Sequence, residues 1–455
     1  MKKVFLSFIC ALLGLCGRAE KPAATTVQHP EWSRNAVIYE VNLRQFTPEG
    51  TIEAFRSHLP RLRDLGVDIL WLMPVHPISE DGRKGELGSY YAVKDYKAVN
   101  PEFGTMADFR KMVDEAHALG MKVIIDWVPN HSGRDNAWVA EHPDWYARDE
   151  QGNMFGPFDW TDVYKFDYSV PEMRAAMTDA MQYWLREGDI DGFRCDVAGQ
   201  VPVSFWDENR PKLEEVKSDI FMLAEATEPE LMLHAFDMDY NWPMKDLFSA
   251  IAATQGQYTF VNPQGHKQSF EPAHATDIYA LLNSQNATYP VDSYMMNMVT
   301  NHDLNSWEGT ERERLGQLHR AFAVLTYTLP GMPLIYTGQE VGLDRALEFF
   351  VKDTPPEWGS RPDVTEFYRV LNNLKHNSPE LAAGVKGAPV EMLPTASPDV
   401  LAFRRGDVLT VVNLSSHENR LFNEVPATEG LSDIFTGTTV IPDRLPAGGY
   451  LVFAR

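Results

Sequence analysis

From about residue 36 to residue 377 the chain alternates short apolar runs with amphipathic segments of helical spacing, and that order restricts it to folds built on a parallel sheet. The run from Asp68 to Val75 (DILWLMPV) is apolar at nearly every position, as a strand covered on both faces requires. Ala36 to Phe46 reads as the first strand, Lys122 to His131 (KVIIDWVPNH) as the third, and Gly192 to Ala198 (GFRCDVA) as the fourth. The fifth is Phe221 to Ala226 (FMLAEA), the sixth the MDYNWP region from Met238, the seventh Met295 to Asp303 (MMNMVTNHD) and the eighth Pro330 to Glu340 (PGMPLIYTGQE). Between them, Thr51 to Gly66, Met106 to Leu119, Pro171 to Gly188, Ser204 to Lys217, Arg312 to Leu329 and Pro362 to Asn377 carry helical patterns. Gln255 to Pro290 contains a Gln-rich stretch and is not assigned. From about Ser378 the runs become short and strand-like (VLAFRR, VLTVVNL, GGYLVFA), which reads as a separate all-β tail.

Three of the strands end in acidic residues: Asp196, Glu225 and Asp303. An eight-stranded β/α barrel gathers the carboxyl ends of its strands at one mouth, so acids far apart in sequence can meet there. Splitting an acetal with retention needs one ionised carboxylate to attack the anomeric carbon and one protonated carboxyl to supply the leaving oxygen, about 5–5.5 Å apart. Any one of these acids alone would read as a turn former or helix cap. Together, and in this order, they point to a glycosidic site.

The four motifs VIIDWVPNH, GFRCDVA, FMLAEA and MVTNHD resemble those of the α-amylase family of glycoside hydrolases, family 13. The resemblance covers the chain from about Trp32 to its end. It implies a (β/α)8 TIM barrel with a short inserted domain after the third strand and a C-terminal all-β sandwich. The domains are then 20–131 and 166–377 for the barrel, 132–165 for the insertion and 378–455 for the sandwich. It implies Asp196 as nucleophile, Glu225 as general acid/base, and Asp303 as the acid that binds sugar hydroxyls and favours the distorted transition state. His131 and His302 match histidines that hydrogen-bond the sugar at the cleavage point. Tyr91 matches a tyrosine that stacks on it, with adjacent Tyr90 an alternative ring. Arg194 joins this substrate-binding set; strand alternation puts it on the Asp196 face, where its charge would hold that carboxylate ionised. Asp126 reads as a buttress below the site.

Departures from the family pattern bear on cofactor and specificity. Many relatives hold calcium at positions that align here with Asn130, Lys165 and Gln200. An ammonium group repels a cation that requires oxygen ligands, so no metal is expected at that place, although calcium elsewhere stays open. Gly199 replaces a lysine that commonly binds the leaving-group sugar. Ala92 follows Tyr91 where exo-acting members carry an aspartate, which favours an open cleft and endo-cleavage of α-1,4-glucan. Val197 after the nucleophile accompanies α-1,6 preference in the exo branch. The expected activity is retaining hydrolysis of starch or maltooligosaccharides. The alternatives are an exo-acting or glycosyl-transferring relative, and a non-catalytic glycan-binding protein.

Composition fits that expectation. The chain's 455 residues are 44% hydrophobic, ample for a barrel core, and its net charge of −23 disfavours nucleic acid and anionic membranes as partners. Residues 1–19 show a basic start, an apolar run too short to span a bilayer and a small-residue end, the pattern of a signal peptide cleaved after Ala19. Its removal takes away Lys2, Lys3 and Arg18, three positive charges, leaving −26. A secreted or periplasmic location follows. Acylation of Cys16 as a lipoprotein is disfavoured by Leu15 before it. Cys10 and Cys16 fall in or beside the leader, so Cys195 is the one thiol expected in the mature chain, turned toward packing rather than toward the site. The sequence does not determine linkage, chain-length preference or oligomeric state.

Overall fold

The computed structural model describes residues 22–455; the expected signal peptide, with Cys10 and Cys16, lies outside the described residues. Eight parallel strands close into a barrel: β1 (Ile38–Val41), β2 (Ile69–Leu72), β3 (Lys122–Trp127), β4 (Gly192–Cys195), β5 (Phe221–Ala224), β6 (Met238–Tyr240), β7 (Tyr294–Asn297) and β8 (Met332–Tyr336). β1 closes the ring, with Ile38 opposite both Ile69 of β2 and Leu334 of β8.

The apolar runs are explained by burial on both faces. Ile38, Trp71, Ile124, Leu223 and Met238 fill the barrel interior, while Tyr39, Leu70, Ile125, Phe193 and Cys195 alternate outward against the helices. Each large side chain buried this way contributes about 1.5–3 kcal/mol. Cys195 is fully buried on the helix side, as strand alternation predicts. Gly192 opens β4 with φ of 150° because β5 runs too close for a side chain: a Cβ there would lie 1.8 Å from the Phe221 carbonyl oxygen.

Local chemistry sets most helix boundaries. Thr105 caps the helix Met106–Ala118, accepting from the Asp108 N–H while the Asp108 carboxylate accepts from the Thr105 N–H. The segment read as one helix from Thr51 to Gly66 is two, Ile52–Arg56 and Leu59–Leu65, because Pro60 has no N–H with which to continue the first. The first strand is shorter than the run that suggested it, since Leu43–Phe46 turns into a helix. Gln255 to Pro290 contains the helix Asp277–Thr288. β7 stops at Asn297, so His302 and Asp303 lie beyond the strand on a connection into the helical turn Leu304–Glu308, not at a strand end as expected. Among the described residues no helix is long and apolar enough to cross a membrane.

The insertion after β3 is closed at its base by a ribbon of His131–Gly133 against Val163–Lys165. The all-β tail is a five-stranded sheet with a small second layer, Asn419–Arg420 against Arg444–Leu445. Val400, Ala402, Leu409 and Val411 face that small layer, and Leu401, Phe403, Val412 and Val452 face the barrel. Arg405 latches the two units together. Its buried guanidinium donates to the carbonyls of Thr328, Leu329, Ala382 and Ala388. Arg405→Leu leaves four buried acceptors without that donor and should lower the unfolding free energy by about 3 kcal/mol or more, read from denaturant midpoints.

Candidate active site

The polar groups at the carboxyl end of the barrel are organised around one guanidinium. Arg194 on β4 is fully buried, and its NH1 donates to Asp126 Oδ1 at 2.8 Å and to Asp196 Oδ1 at 3.0 Å. Its Nε donates to the Tyr240 hydroxyl at 3.2 Å, and NH2 lies 2.8 Å from Glu225 Oε2 as an ion-pair contact. Burying an unpaired cation costs several kcal/mol, and three carboxylates offset that here. Arg194 does not line the cavity above it. It was expected among the sugar-binding residues and as the charge that holds Asp196; the structure places it beneath the floor, out of the cavity wall, where it holds Asp196 and Glu225.

Strand alternation carries Asp196 into the mouth two residues after Arg194, and β5 ends so that Glu225 follows Ala224 into the same space. Asp196 Oδ1 is held by Arg194, while Oδ2 accepts no hydrogen bond from the described residues. The turn after Asp196 is strained: Val197 has φ of 45°, a left-handed conformation that costs a β-branched residue about 1–3 kcal/mol. That conformation directs the Val197 N–H onto Glu225 Oε2 at 2.9 Å. Nucleophile strand and acid are thereby fastened to each other twice, through the guanidinium and through this peptide.

Burial pushes the Asp196 carboxyl well above the ordinary carboxylate range; Arg194 opposes the rise, and the nearby Glu225, Asp126 and Asp303 add to it. Burial likewise raises Asp126 to about 6 against the pull of Arg194. Crowding three carboxyls around one cation raises the cost of ionising all of them at once.

A chain of hydrogen bonds supports the opposite wall. His302 Nδ1 bonds Glu40 Oε1 at 2.5 Å, its Nε2 lies 2.8 Å from the Tyr91 hydroxyl, and that hydroxyl donates to Asp126 Oδ2 at 3.1 Å. Trp71 Nε1 donates to the same Asp126 oxygen. Burial works against a charged His302, but Asp303, 3.4 Å away, and Glu40 outweigh it and raise the ring to about 9. His131 is buried without such partners, and desolvation lowers it to about 3, so it is neutral. Of the two adjacent tyrosines, Tyr91 faces the cavity; Tyr90 is buried and donates to Asn42 Oδ1.

The cavity these residues line has a volume of about 740 Å³. Tyr91, His131, Asp196, Glu225, His302 and Asp303 all border it, so six of the seven expected residues meet there. Sequence reading missed Lys84, Phe158, Trp160, Asp162, Trp307, Phe349 and Phe350, which also border it. They sit on loops brought in by other contacts: Arg44 donates to the carbonyls of Leu87, Gly88 and Phe349, tying two such loops together. For Phe158 and Trp160 the only signal was the aromatic density of the insertion, and the residues outside it had none. At the aligned calcium positions Asn130 is buried, Lys165 sits in the ribbon opposite His131, and Gln200 is exposed.

The histidine network carries a pH signature. The folded value of about 9 lies above the ordinary 6.5, so the His302 pairing contributes stability that is complete below pH 6.5 and lost as pH rises through 9. The unfolding free energy of the parent should therefore fall toward that of His302→Gln across this window, and parallel curves for the two proteins would disprove the pairing.

A family model for the alpha-amylase catalytic domain matches residues 31–165 and 141–354. The chain is 27% identical over 431 residues to the alpha-amylase MalA of Haloarcula japonica, covering 90% of this chain and 59% of that protein. It is also 27% identical to the maltogenic alpha-amylase of Bacillus acidopullulyticus, over 79% of this chain and 65% of that one, so it spans about three fifths of the length of these two curated relatives. Among solved structures, an alpha-amylase from Lactobacillus plantarum superposes with a TM-score of 0.77 at 30% identity, covering 92% of this chain and 99% of that one. With the catalytic-domain match running over most of the barrel, the chain belongs to the alpha-amylase family of glycoside hydrolases.

Proposed function

We propose that the protein is a retaining hydrolase that cleaves α-1,4-glucosidic bonds of starch or maltooligosaccharides through a covalent glycosyl-enzyme. The observation that carries this reading is the sharing of one guanidinium by Asp196 and Glu225. Carboxyls on neighbouring nitrogens of one arginine favour the close spacing of a nucleophile and acid, about 5–5.5 Å, over the wider gap that admits a water between them. In the first step Asp196 Oδ2 attacks the anomeric carbon as Glu225 passes its proton to the leaving glycosidic oxygen. In the second, Glu225 takes a proton from water, whose oxygen displaces the Asp196 ester. Arg194 stabilises Asp196 as a leaving carboxylate. Asp303, Tyr91, His131 and His302 bind the sugar at the cleavage point, with His302 sharing its Nε2 proton between Tyr91 and substrate.

One observation favours the exo-acting or glycosyl-transferring alternative. Lys84, from the loop after β2, and Asp162, from the insertion, form an ion pair at 2.8 Å in the cavity wall, narrowing one side of the cleft. Product analysis distinguishes the two: mixed maltooligosaccharides released early from starch support endo-hydrolysis, while glucose or maltose alone, or products longer than the substrate, support the alternative. We also read residues 1–19 as a leader directing export, on sequence pattern alone, and the donor set at Asn130, Lys165 and Gln200 as unable to hold calcium.

Asp196→Asn should reduce turnover by roughly 10⁴-fold or more while maltoheptaose still binds in calorimetry; a variant that keeps most of its turnover refutes the nucleophile assignment. Glu225→Gln should slow maltooligosaccharide cleavage by roughly 10²- to 10⁴-fold and activated aryl glycosides far less, since a good leaving group needs no proton. Equal losses on both substrates would argue against the acid role. Exhaustive dialysis against a chelator should leave the thermal midpoint unchanged, and a drop restored by calcium would show a structural ion.

A further inference from the structure

The tip of the insertion carries an arrangement that the chemistry at Asp196 and Glu225 does not explain. The Trp160 N–H donates to the Pro157 carbonyl at 3.1 Å, closing a four-residue turn whose first central residue, Phe158, has φ of 55°. Positive φ at that position is the province of Gly, Asn and Asp, because any larger side chain crowds the backbone, and a bulky aromatic there is a steric outlier. The chain on either side of the turn packs closely on itself. Gly156 passes so close to the returning chain that a Cβ would lie 1.9 Å from the Trp160 carbonyl oxygen and 2.9 Å from that of Val163. Below it the Lys165 N–H donates to the Phe155 carbonyl at 2.9 Å.

Burial of the ring normally offsets strain of this kind, yet the Phe158 side chain remains 62% exposed. Its one aromatic neighbour is Trp160, edge-on at 5.1 Å, and Trp160 in turn meets His131 edge-on at 5.2 Å. The three rings are in successive edge contact, all three border the cavity, and Phe158 is the exposed end of the series. A strained backbone, a rigid turn and a bare aromatic face at the mouth of a site are together the marks of a residue held ready for a ligand.

We infer that Phe158 is a sugar-stacking, specificity-determining residue that sets preference for longer chains. Its ring receives a glucose unit beyond the one held at Asp196 and Glu225, and the bound glycan covers the face that folding leaves bare. A pyranose suits this position because it offers a C–H face to the ring and hydroxyls to the surrounding water. The inference rests on the glycan reading of the site given above.

The test uses Phe158→Gly and Phe158→Asn, which remove the ring and tolerate positive φ, and Phe158→Trp, which keeps an aromatic face. Thermal midpoints are measured alongside kcat/KM for maltoheptaose and for an activated aryl glucoside too short to reach the turn. The Asn variant should unfold at the parent's temperature or above it, because strain is relieved and only the edge contact with Trp160 is lost, while the Gly variant offsets relieved strain against added unfolded-chain entropy. In both, the ratio of kcat/KM on maltoheptaose to that on the aryl glucoside should fall roughly tenfold, through KM, as expected for one lost aromatic contact. Phe158→Trp should recover that ratio. A lowered midpoint in both variants would show that the ring serves the fold, and an unchanged ratio would show that it meets no sugar; either overturns the inference. Should the parent cleave neither substrate, the hydrolase reading fails by itself. Calorimetric titration with maltoheptaose then decides the role of Phe158: weaker binding to Phe158→Gly supports it, and equal binding or none to either protein overturns it.

Discussion

The buried Arg194 guanidinium is the interaction on which the rest of the site depends. A cation at the bottom of a barrel otherwise filled by Ile, Leu, Met and Trp is tolerable only because Asp126, Asp196 and Glu225 surround it, and those carboxylates are tolerable there only because of the cation. Each group thus requires the others. The geometry of the nucleophile and acid pair is consequently set by a rigid planar fork rather than by flexible side chains, a form of electrostatic preorganisation. Tyr240, through Arg194 Nε, extends the same arrangement to the next strand.

From this centre outward the structure moves from strands to loops and from rigid to exposed. Asp126, Arg194, Asp196 and Glu225 are on strands or within two residues of their ends. Tyr91, His302 and Asp303 stand on connections, and a continuous chain from Glu40 through His302 and Tyr91 to Asp126 ties them to the barrel floor. Backbone strain is found at both levels. At Val197 it aims an N–H at Glu225, and at Phe158 it aims a ring at the mouth. At Val197 the unfavourable backbone conformation is kept by the bond that it makes.

Where the sequence was legible, one residue type at one period had a single physical use. Apolar runs covered on both faces could only be strands of a parallel sheet, and the alternation of Arg194, Cys195 and Asp196 correctly separated packing from the site face. The helix near Pro362 to Asn377 was legible because Pro362 marks its start and its apolar periodicity is strong. Legibility ended where a local pattern had two uses. Pro60 could begin a helix or interrupt one, and the apolar stretch after β7 could extend the strand or leave it. Alternation placed Arg194 on the Asp196 face, where it does hold that carboxylate, whereas its depth below the cavity was not legible.

The sequence by itself determined a parallel β/α alternation, its strand order along the chain and, through the family motifs, the set of acids, because periodicity and motif content are local properties that any one segment reports alone. Only the tertiary structure decided that Arg194 lies under the floor, that Tyr91 rather than Tyr90 borders the cavity, and that Lys84, Phe158, Trp307 and Phe349 complete its wall. Those outcomes depend on how loops from different strands pack against one another. Arg44 gripping two loops at once is a contact between segments, and no segment's own pattern contains it.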